Sequence, residues 1–230
     1  MTLDPRTAHR LEAVAPRSGP LVVCDVDEVV LHFLEPFRAL LADDGWVLHP
    51  DSFRLHGNVR GADGTPAPDE AVSAAIERLF VEQEARQTLV PGARDGLERL
   101  AERASLVMLT AMRHGHFDAR ERHLRALGIP YPLVTTEGSK GRAIAHVANG
   151  RPVVFIDDLP PNHVDVLRHA PETLCVHLMA DEPFAPLLPP LPDGVVAVPD
   201  WPRAVSVVER WMEDARGIAG RSAPLPRRDA

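Results

Sequence analysis

The sequence predicts an α/β fold, a Rossmann-like, mostly parallel sheet flanked by helices, with a small, mainly helical cap inserted after the first strand. Three observations carry this. Short apolar runs recur that are continuous rather than alternating, as expected of strands covered on both faces. Each is preceded or followed by a helix-like stretch. The first run is then separated from the next helix of the series by far more than the dozen or so residues a crossover needs.

Taken in order, Leu21-Val22-Val23-Cys24 forms the first strand and ends at Asp25. Further strands are expected at residues 105–109, 131–134, 152–156, 173–178 and 195–198, and helices at 91–103, 116–127, 140–148, 160–169 and 201–216. In the first of these helices Leu97, Leu100 and Ala101 share one face, while Arg94, Glu98, Arg99 and Glu102 can point to water. Between the first strand and that helix, helical patterning appears at 34–41 and 69–87 around a loop-rich stretch at 43–68. The expected division is therefore a discontinuous core of residues 18–34 and 89–216 and a cap of residues 35–88. Seven prolines between Asp181 and Pro202 suggest an irregular surface segment, and residues 217–230, with almost no periodic apolar face, a flexible tail.

Composition excludes several classes of function. The 230 residues carry 25 Lys+Arg against 33 Asp+Glu, a formal net charge of −8, so the phosphate-backbone affinity of a basic nucleic-acid binder is not expected. No apolar run approaches the ~18–20 residues that cross a bilayer, and the first residues lack a signal peptide's apolar stretch. Cys24 and Cys175, the two cysteines, each lie in an apolar strand-like run, where a thiol behaves as a small buried hydrophobe. No structural disulfide, and a cytoplasmic protein, are expected. Oligomeric state stays open.

Four short motifs could carry chemistry. Asp25-Val26-Asp27-Glu28-Val29-Val30 begins where the first strand ends. Side chains two apart on extended chain point broadly the same way, so Asp25 and Asp27 can address one site. One carboxylate can attack while the other exchanges a proton, although an acidic strand-end loop reads the same. Thr110 and Ala111 follow an apolar strand, where a hydroxyl and a backbone N–H could hold a phosphate oxygen, or Thr110 could simply end the strand. Lys140 opens a helix, an end that ordinarily favours acids, and suits neutralising a bound anion; a solvated lysine is the plainer reading. Asp157 and Asp158 close another apolar strand just before a helix, so they could cap it or supply hard oxygen ligands for Mg²⁺. All four motifs fall at strand ends or helix starts, in an order that brings them to one edge of a parallel sheet. In such sheets ligands bind beyond the carboxyl ends of the strands.

In these motifs, over roughly residues 20 to 180, the sequence resembles the haloacid dehalogenase-like (HAD) hydrolase superfamily. The resemblance implies that Asp25 attacks phosphorus to form an aspartyl-phosphate. Asp27 would protonate the leaving oxygen and then activate water, while Thr110, Ala111 and Lys140 hold the phosphoryl group. It also implies a Mg²⁺ cofactor bound by the Asp25 carboxylate, the Asp27 backbone carbonyl and Asp157, with Asp158 in or beside its outer shell. The acid at position 27 is the feature that phosphatases and phosphomutases of that superfamily share and dehalogenases lack. A phosphoryl-receiver domain also uses acids, a Thr and a Lys, but places its acidic pair first, whereas here a second acidic pair follows both. The expected function is a Mg²⁺-dependent phosphatase of a small phosphorylated metabolite, a nucleotide or sugar phosphate among the options. A phosphomutase, or a non-catalytic ligand- or partner-binding protein of the same fold, are the alternatives.

Around this centre several residues invite smaller expectations. Arg54, His56 and Arg60 could meet an anionic or sugar-like part of the substrate or be ordinary surface groups, and Trp46, Phe53 and Leu55 read as the cap's small core. Arg113-His114-Gly115-His116 could reach the pocket mouth; its two histidines could suggest a metal but lack a third ligand. His163 could cap its helix or lie near the acidic pair.

Overall fold

The computed structural model describes residues 3–14 and 19–221. Its elements in chain order begin with α1 (Pro5–Ala13), β1 (Leu21–Cys24), α2 (Leu34–Asp43), β2 (Trp46–Leu48), β3 (Val59–Gly61), α3 (Asp69–Val81), α4 (Gln83–Arg86) and α5 (Ala93–Ala101). They continue with β4 (Ser105–Ala111), α6 (Phe117–Ala126), β5 (Leu133–Thr136), α7 (Lys140–Ala148), β6 (Val153–Asp157), α8 (Pro160–His169), β7 (Leu174–Leu178), β8 (Val196–Val198) and α9 (Trp201–Arg221).

Six strands form one sheet in the order β5-β4-β1-β6-β7-β8, and every neighbouring pair in it is parallel. The chain lays β4 and β5 to one side of β1 and then β6, β7 and β8 to the other. The order therefore reverses at β1, and β4, β1 and β6 end side by side at the reversal, where open α/β sheets bind ligands.

Strand periodicity sorts the apolar residues into two cores. Val22, Cys24, Met108, Val154, Ile156 and Val176 face α5, α6 and α9. Leu21, Val23, Val107, Leu109, Phe155 and Cys175 face α1, α7 and α8. This two-sided burial is why the strands read as unbroken apolar runs. It also puts the two buried, unpaired cysteines on opposite faces of the sheet.

The segment between β1 and α5 folds as α2, the β2–β3 antiparallel hairpin, α3 and α4 around a third apolar cluster, which includes Phe37, Leu40, Leu41, Val72 and Leu79. Met179 and Phe184, from the proline-rich stretch after β7, complete that cluster, and Arg38 pairs with Asp181 beside it. The stretch is thus irregular, as its prolines predict, but part of it is buried.

Most elements fall where the sequence places them, and α7 and α8 coincide residue for residue. Ser139 caps α7 by accepting a hydrogen bond from the Arg142 N–H at 3.0 Å, and α8 opens on Pro160 and Pro161, whose missing N–H groups would be orphans there anyway. Four differences have local causes. Helix α1 was not expected, yet Asp4 caps it, Pro5 opens it, and Leu11 buries against α7. The loop at 43–68 contains the β2–β3 hairpin, whose three-residue strands are too short for a periodic signal. The helix expected over 69–87 breaks at Glu82 because the fully buried Gln83 turns its amide onto the Phe80 carbonyl at 2.6 Å. Helix α9 runs to Arg221, five residues into the expected tail, and residues 222–230 of that tail lie outside the described residues. No described helix is long and apolar enough to cross a membrane.

Candidate active site

Asp25 leaves the end of β1 with its N–H still bonded to the Ile156 carbonyl of β6, so the sheet itself fixes its position. Lys140, the first residue of α7, is 2% exposed, and its Nζ lies 2.7 Å from Asp157 Oδ2 and 2.8 Å from Asp25 Oδ1. The contact to Asp25 is a charge contact off hydrogen-bond geometry, and Asp25 Oδ1 has no other partner among the described residues. Asp158 is also buried, and oxygens of Asp25, Asp157 and Asp158 come within 4.8 Å of one another.

Two carboxylates, Asp25 and Asp157, thus share one ammonium, with Asp158 beside them and all of these side chains almost wholly buried. Burial pushes the Asp25 carboxyl up to about 7, with Lys140 pulling down and Asp157 adding to the rise. Burial, then Asp157 and Asp25, hold the Asp158 carboxyl far above the ordinary carboxylate range. Burial works to lower the Lys140 pKa, but Asp157 and Asp25 outweigh it and keep the ammonium charged. The cluster has the electrostatics of a divalent-cation site: oxygen donors only, buried, with negative charge in excess of what Lys140 supplies. The donors are not equally free. Both oxygens of Asp157 are engaged, by Lys140, by the Leu159 N–H and by Asn162 Nδ2, whereas the Asp158 carboxylate accepts no hydrogen bond among the described residues.

Asp27 lies beside this cluster, outside the acidic triad. Its Oδ1 accepts from Gln87 Nε2 at 2.9 Å and from Arg120 Nη1 at 3.0 Å, and its Oδ2 faces the Thr110 hydroxyl at 3.4 Å. Asp25, Asp27, Thr110, Ala111, Lys140 and Asp158 line one cavity of about 260 Å³. The first two motifs, the lysine and the acidic pair therefore meet at one place.

Smaller expectations fare unevenly. Arg54, His56 and Arg60 do not line the cavity: His56 bonds Ser73, and Arg60 lies 3.8 Å from Asp51. Phe53 and Leu55 do line it, besides packing on the third cluster, whereas Trp46 only packs. His114 and His116 part ways, His114 to Thr135 and Asp4 and His116 to Glu77, so they form no metal pair. Arg113 turns away from this cavity to Glu77 as well. His163, fully buried in α8, touches the acidic pair through the Asp157 backbone oxygen at 3.1 Å.

No protein-family model matches the chain, and no curated protein does. Solved structures do. A haloacid dehalogenase-like family hydrolase from Xanthomonas campestris superposes with a TM-score of 0.56 at 16% identity, over 88% of this chain and 98% of its own. A HAD family hydrolase from Deinococcus radiodurans, solved with phosphate and sodium bound, gives 0.53 at 16% over 84% and 96%. A Bacillus subtilis structure bound to magnesium gives 0.55 at 14% over 84% and 99%. This chain has the haloacid dehalogenase-like fold.

On that fold, four residues to which the sequence alone assigns no role complete the surroundings of the acidic cluster. Arg120 is fully buried, and it joins Asp27 to Gln87, whose Oε1 accepts from its Nη2 at 3.1 Å. The signal was present: Phe117, Arg120, Leu124 and Leu127 recur at helical spacing, so a cation stands on the stripe that faces the core. Gln87, in the chain returning from α4, and Asn162, in the first turn of α8, carry no comparable signal. Glu28 holds a left-handed backbone, φ 59°, unusual for a residue with a side chain. Its Oε1 accepts the N–H groups of Phe33 at 2.7 Å and Leu34 at 2.6 Å, which ties the turn after β1 to the start of α2.

Proposed function

We propose that the protein is a Mg²⁺-dependent phosphoric monoester hydrolase that works through an aspartyl-phosphate. The observation that carries this reading is the convergence of Asp25, Asp158 and Lys140 in one buried cluster, with Asp27 and Thr110 on the same cavity. Phosphate in the Deinococcus radiodurans structure and magnesium in that from Bacillus subtilis support the ligand classes.

Asp25 attacks phosphorus in line with the ester oxygen, which leaves as the P–O bond breaks and takes a proton from Asp27. Water then gives a proton to Asp27 and attacks the same phosphorus. The Asp25–phosphorus bond breaks, and inorganic phosphate leaves. Arg120 and Gln87 hold one Asp27 oxygen, so the other is the one positioned to exchange the proton. Thr110, the Ala111 N–H and Lys140 hold the phosphoryl oxygens, and Lys140 also offsets the charge of Asp25. Asp25, Asp158 and the Asp27 carbonyl would hold Mg²⁺, with the hydrogen-bonded Asp157 supporting Lys140 instead. Bound there, the ion would neutralise charge on the phosphoryl oxygens, which is most of what phosphoryl transfer asks of a protein. In this reading residues 35–88 act as the cap over the site, excluding bulk water.

Phosphate release from a panel of phosphomonoesters, with Mg²⁺ and with chelator, tests the reading. Turnover should require Mg²⁺ and fall at least ~1,000-fold in Asp25→Asn, because the covalent route is lost. Turnover that survives either change rules out the proposed centre.

A further inference from the structure

The cavity has two unlike halves. Its floor is the charged cluster just described, with Leu159 and Asn162 beside it, and its remaining wall is built from four separate parts of the chain. Phe33 and Leu34 come from the start of α2, Ile76 and Phe80 from α3, and Met179 and Phe184 from the stretch after β7. All are apolar, as are Phe53 and Leu55 beside them. Lys140 is the one basic residue lining the cavity among the described residues, and it is already committed to Asp25 and Asp157. Among the arginines of the neighbouring segments, Arg38 pairs with Asp181, Arg78 with Glu82 and Arg113 with Glu77, Arg120 is held behind Asp27, and Arg54, between Phe53 and Leu55, does not line the cavity.

This distribution restricts what hangs from the phosphate. A second anionic group on the leaving part would lose its water against aliphatic and aromatic side chains, with no cation to meet it. Sugar hydroxyls would lose their hydrogen bonds to water on the same surface without replacing them. An apolar leaving group gains instead, in proportion to the apolar area it buries there. Within its volume of about 260 Å³ the cavity has room for a phosphoryl group and about one ring, and beyond that it opens to solvent.

Resting on the phosphatase reading, we propose that the substrate is a phosphate monoester of a small apolar or aromatic alcohol, bearing no second charge. Hydrolysis breaks the bond between phosphorus and the ester oxygen: the alcohol leaves with a proton from Asp27, and water then gives its hydroxyl to phosphorus and a proton back to Asp27, releasing inorganic phosphate. The contact between substrate and wall is hydrophobic, so discrimination comes from unpaired polar groups on the wrong esters rather than from a specific hydrogen bond to the right one.

Benzyl phosphate, glucose 6-phosphate and 2-phosphoglycolate are all esters of primary alcohols, which limits leaving-group differences. With the full-length protein and Mg²⁺, kcat/KM for benzyl phosphate should exceed the other two by at least ~100-fold, about 2.7 kcal/mol of discrimination. Ile76→Lys, which puts a cation on the wall, should narrow the gap to 2-phosphoglycolate by ~10-fold or more. Binding separates the two levels of the argument. By calorimetry with Mg²⁺, benzylphosphonate should bind the wild type at least 10-fold more tightly than phosphonoacetate. Equal or better use of glucose 6-phosphate or 2-phosphoglycolate overturns the substrate class and leaves the phosphatase standing. No turnover of any ester, with benzylphosphonate still preferred, overturns the phosphatase reading and leaves the ligand class. If phosphonoacetate binds as well or neither phosphonate binds, the ligand class falls.

Discussion

Asp27 meets the cavity with one oxygen already taken, because Arg120 and Gln87 both donate to Oδ1. Arg120 is wholly buried while Asp27 is partly open to the cavity, so the pair is lopsided: the cation depends on the acid more than the acid on it. Its guanidinium also lies 5.6 Å from the Phe80 ring, and its Nε has no partner among the described residues. Arg120→Met strands Asp27, which keeps some solvent, and leaves Gln87 Oε1 without its donor, so it should lower stability by roughly 2 kcal/mol, or about 4–8 °C in melting temperature. Arg120→Lys keeps the charge but not the fork that spans Asp27 and Gln87, and should retain most of the stability while kcat falls at least ~10-fold. Thermal unfolding and steady-state rates on both variants decide it, and an unchanged kcat in Arg120→Lys removes Arg120 from the positioning of Asp27. At this scale Asp25, Asp27, Lys140 and the acidic pair are legible because each stands where a strand ends or a helix begins. Arg120 and Gln87 are not, because their meaning depends on a partner 93 and 60 positions away.

Helix α7 places Lys140, and its own position is set by a contact with α8 that leaves no room for a side chain. A Cβ on Gly141 would lie 2.3 Å from the Asp165 backbone oxygen and 2.7 Å from its carbonyl carbon. Asp165 moreover binds the same turn with its side chain, taking the Ser139 hydroxyl at 2.7 Å and the Gly141 N–H at 2.8 Å. The clash is with backbone, so α7 itself must move, and Lys140 moves with it. Gly141→Ala should cost at least ~2 kcal/mol, in the range of overpacked cores, and reduce kcat more than ~10-fold. Gly138→Ala, two residues before Lys140 with nothing within 4 Å of its Cβ, should leave the unfolding free energy from urea titration within ~0.5 kcal/mol of wild type. Equal midpoints for the two variants would dissolve the argument. The starts of α7 and α8 could be read from Ser139 and from Pro160-Pro161, which act locally. The break between α3 and α4 could not, because it comes from Gln83 burying its amide against Phe80, a tertiary preference in a helically patterned run.

Across the whole molecule the strand-and-helix alternation was enough to foresee a parallel sheet, since two-sided burial writes itself into continuous apolar runs. The order around β1, and the closing of the third cluster by Met179 and Phe184, come from contacts that no local pattern records. Folding also leaves three histidines where charge is unwelcome. Burial depresses the pKa of His123, His163 and His177, and the last two lie with rings 5.7 Å apart, each with an Nδ1 that has no hydrogen-bond partner among the described residues. The unfolded chain then binds more protons than the folded one below the ordinary histidine value of 6.5, so these groups stabilise the protein above that pH and lose the contribution as pH falls. Asp25, Asp158 and Glu28, whose pKa values are raised, act in the opposite sense: the folded state keeps protons that the unfolded state releases, and their contribution declines as pH rises from the ordinary carboxylate range. The net slope of the wild type therefore mixes both signs, and the histidine part is isolated by difference. His177→Phe keeps a ring against His163 and removes one titrating group together with the repulsion it exerts on the other. Urea unfolding in chelator at pH 7.5 and pH 5 should show the variant losing less stability on acidification than the wild type. Equal losses would mean that His177 stays neutral in both states or charges freely in the fold, and the buried pair would then have no part in acid sensitivity.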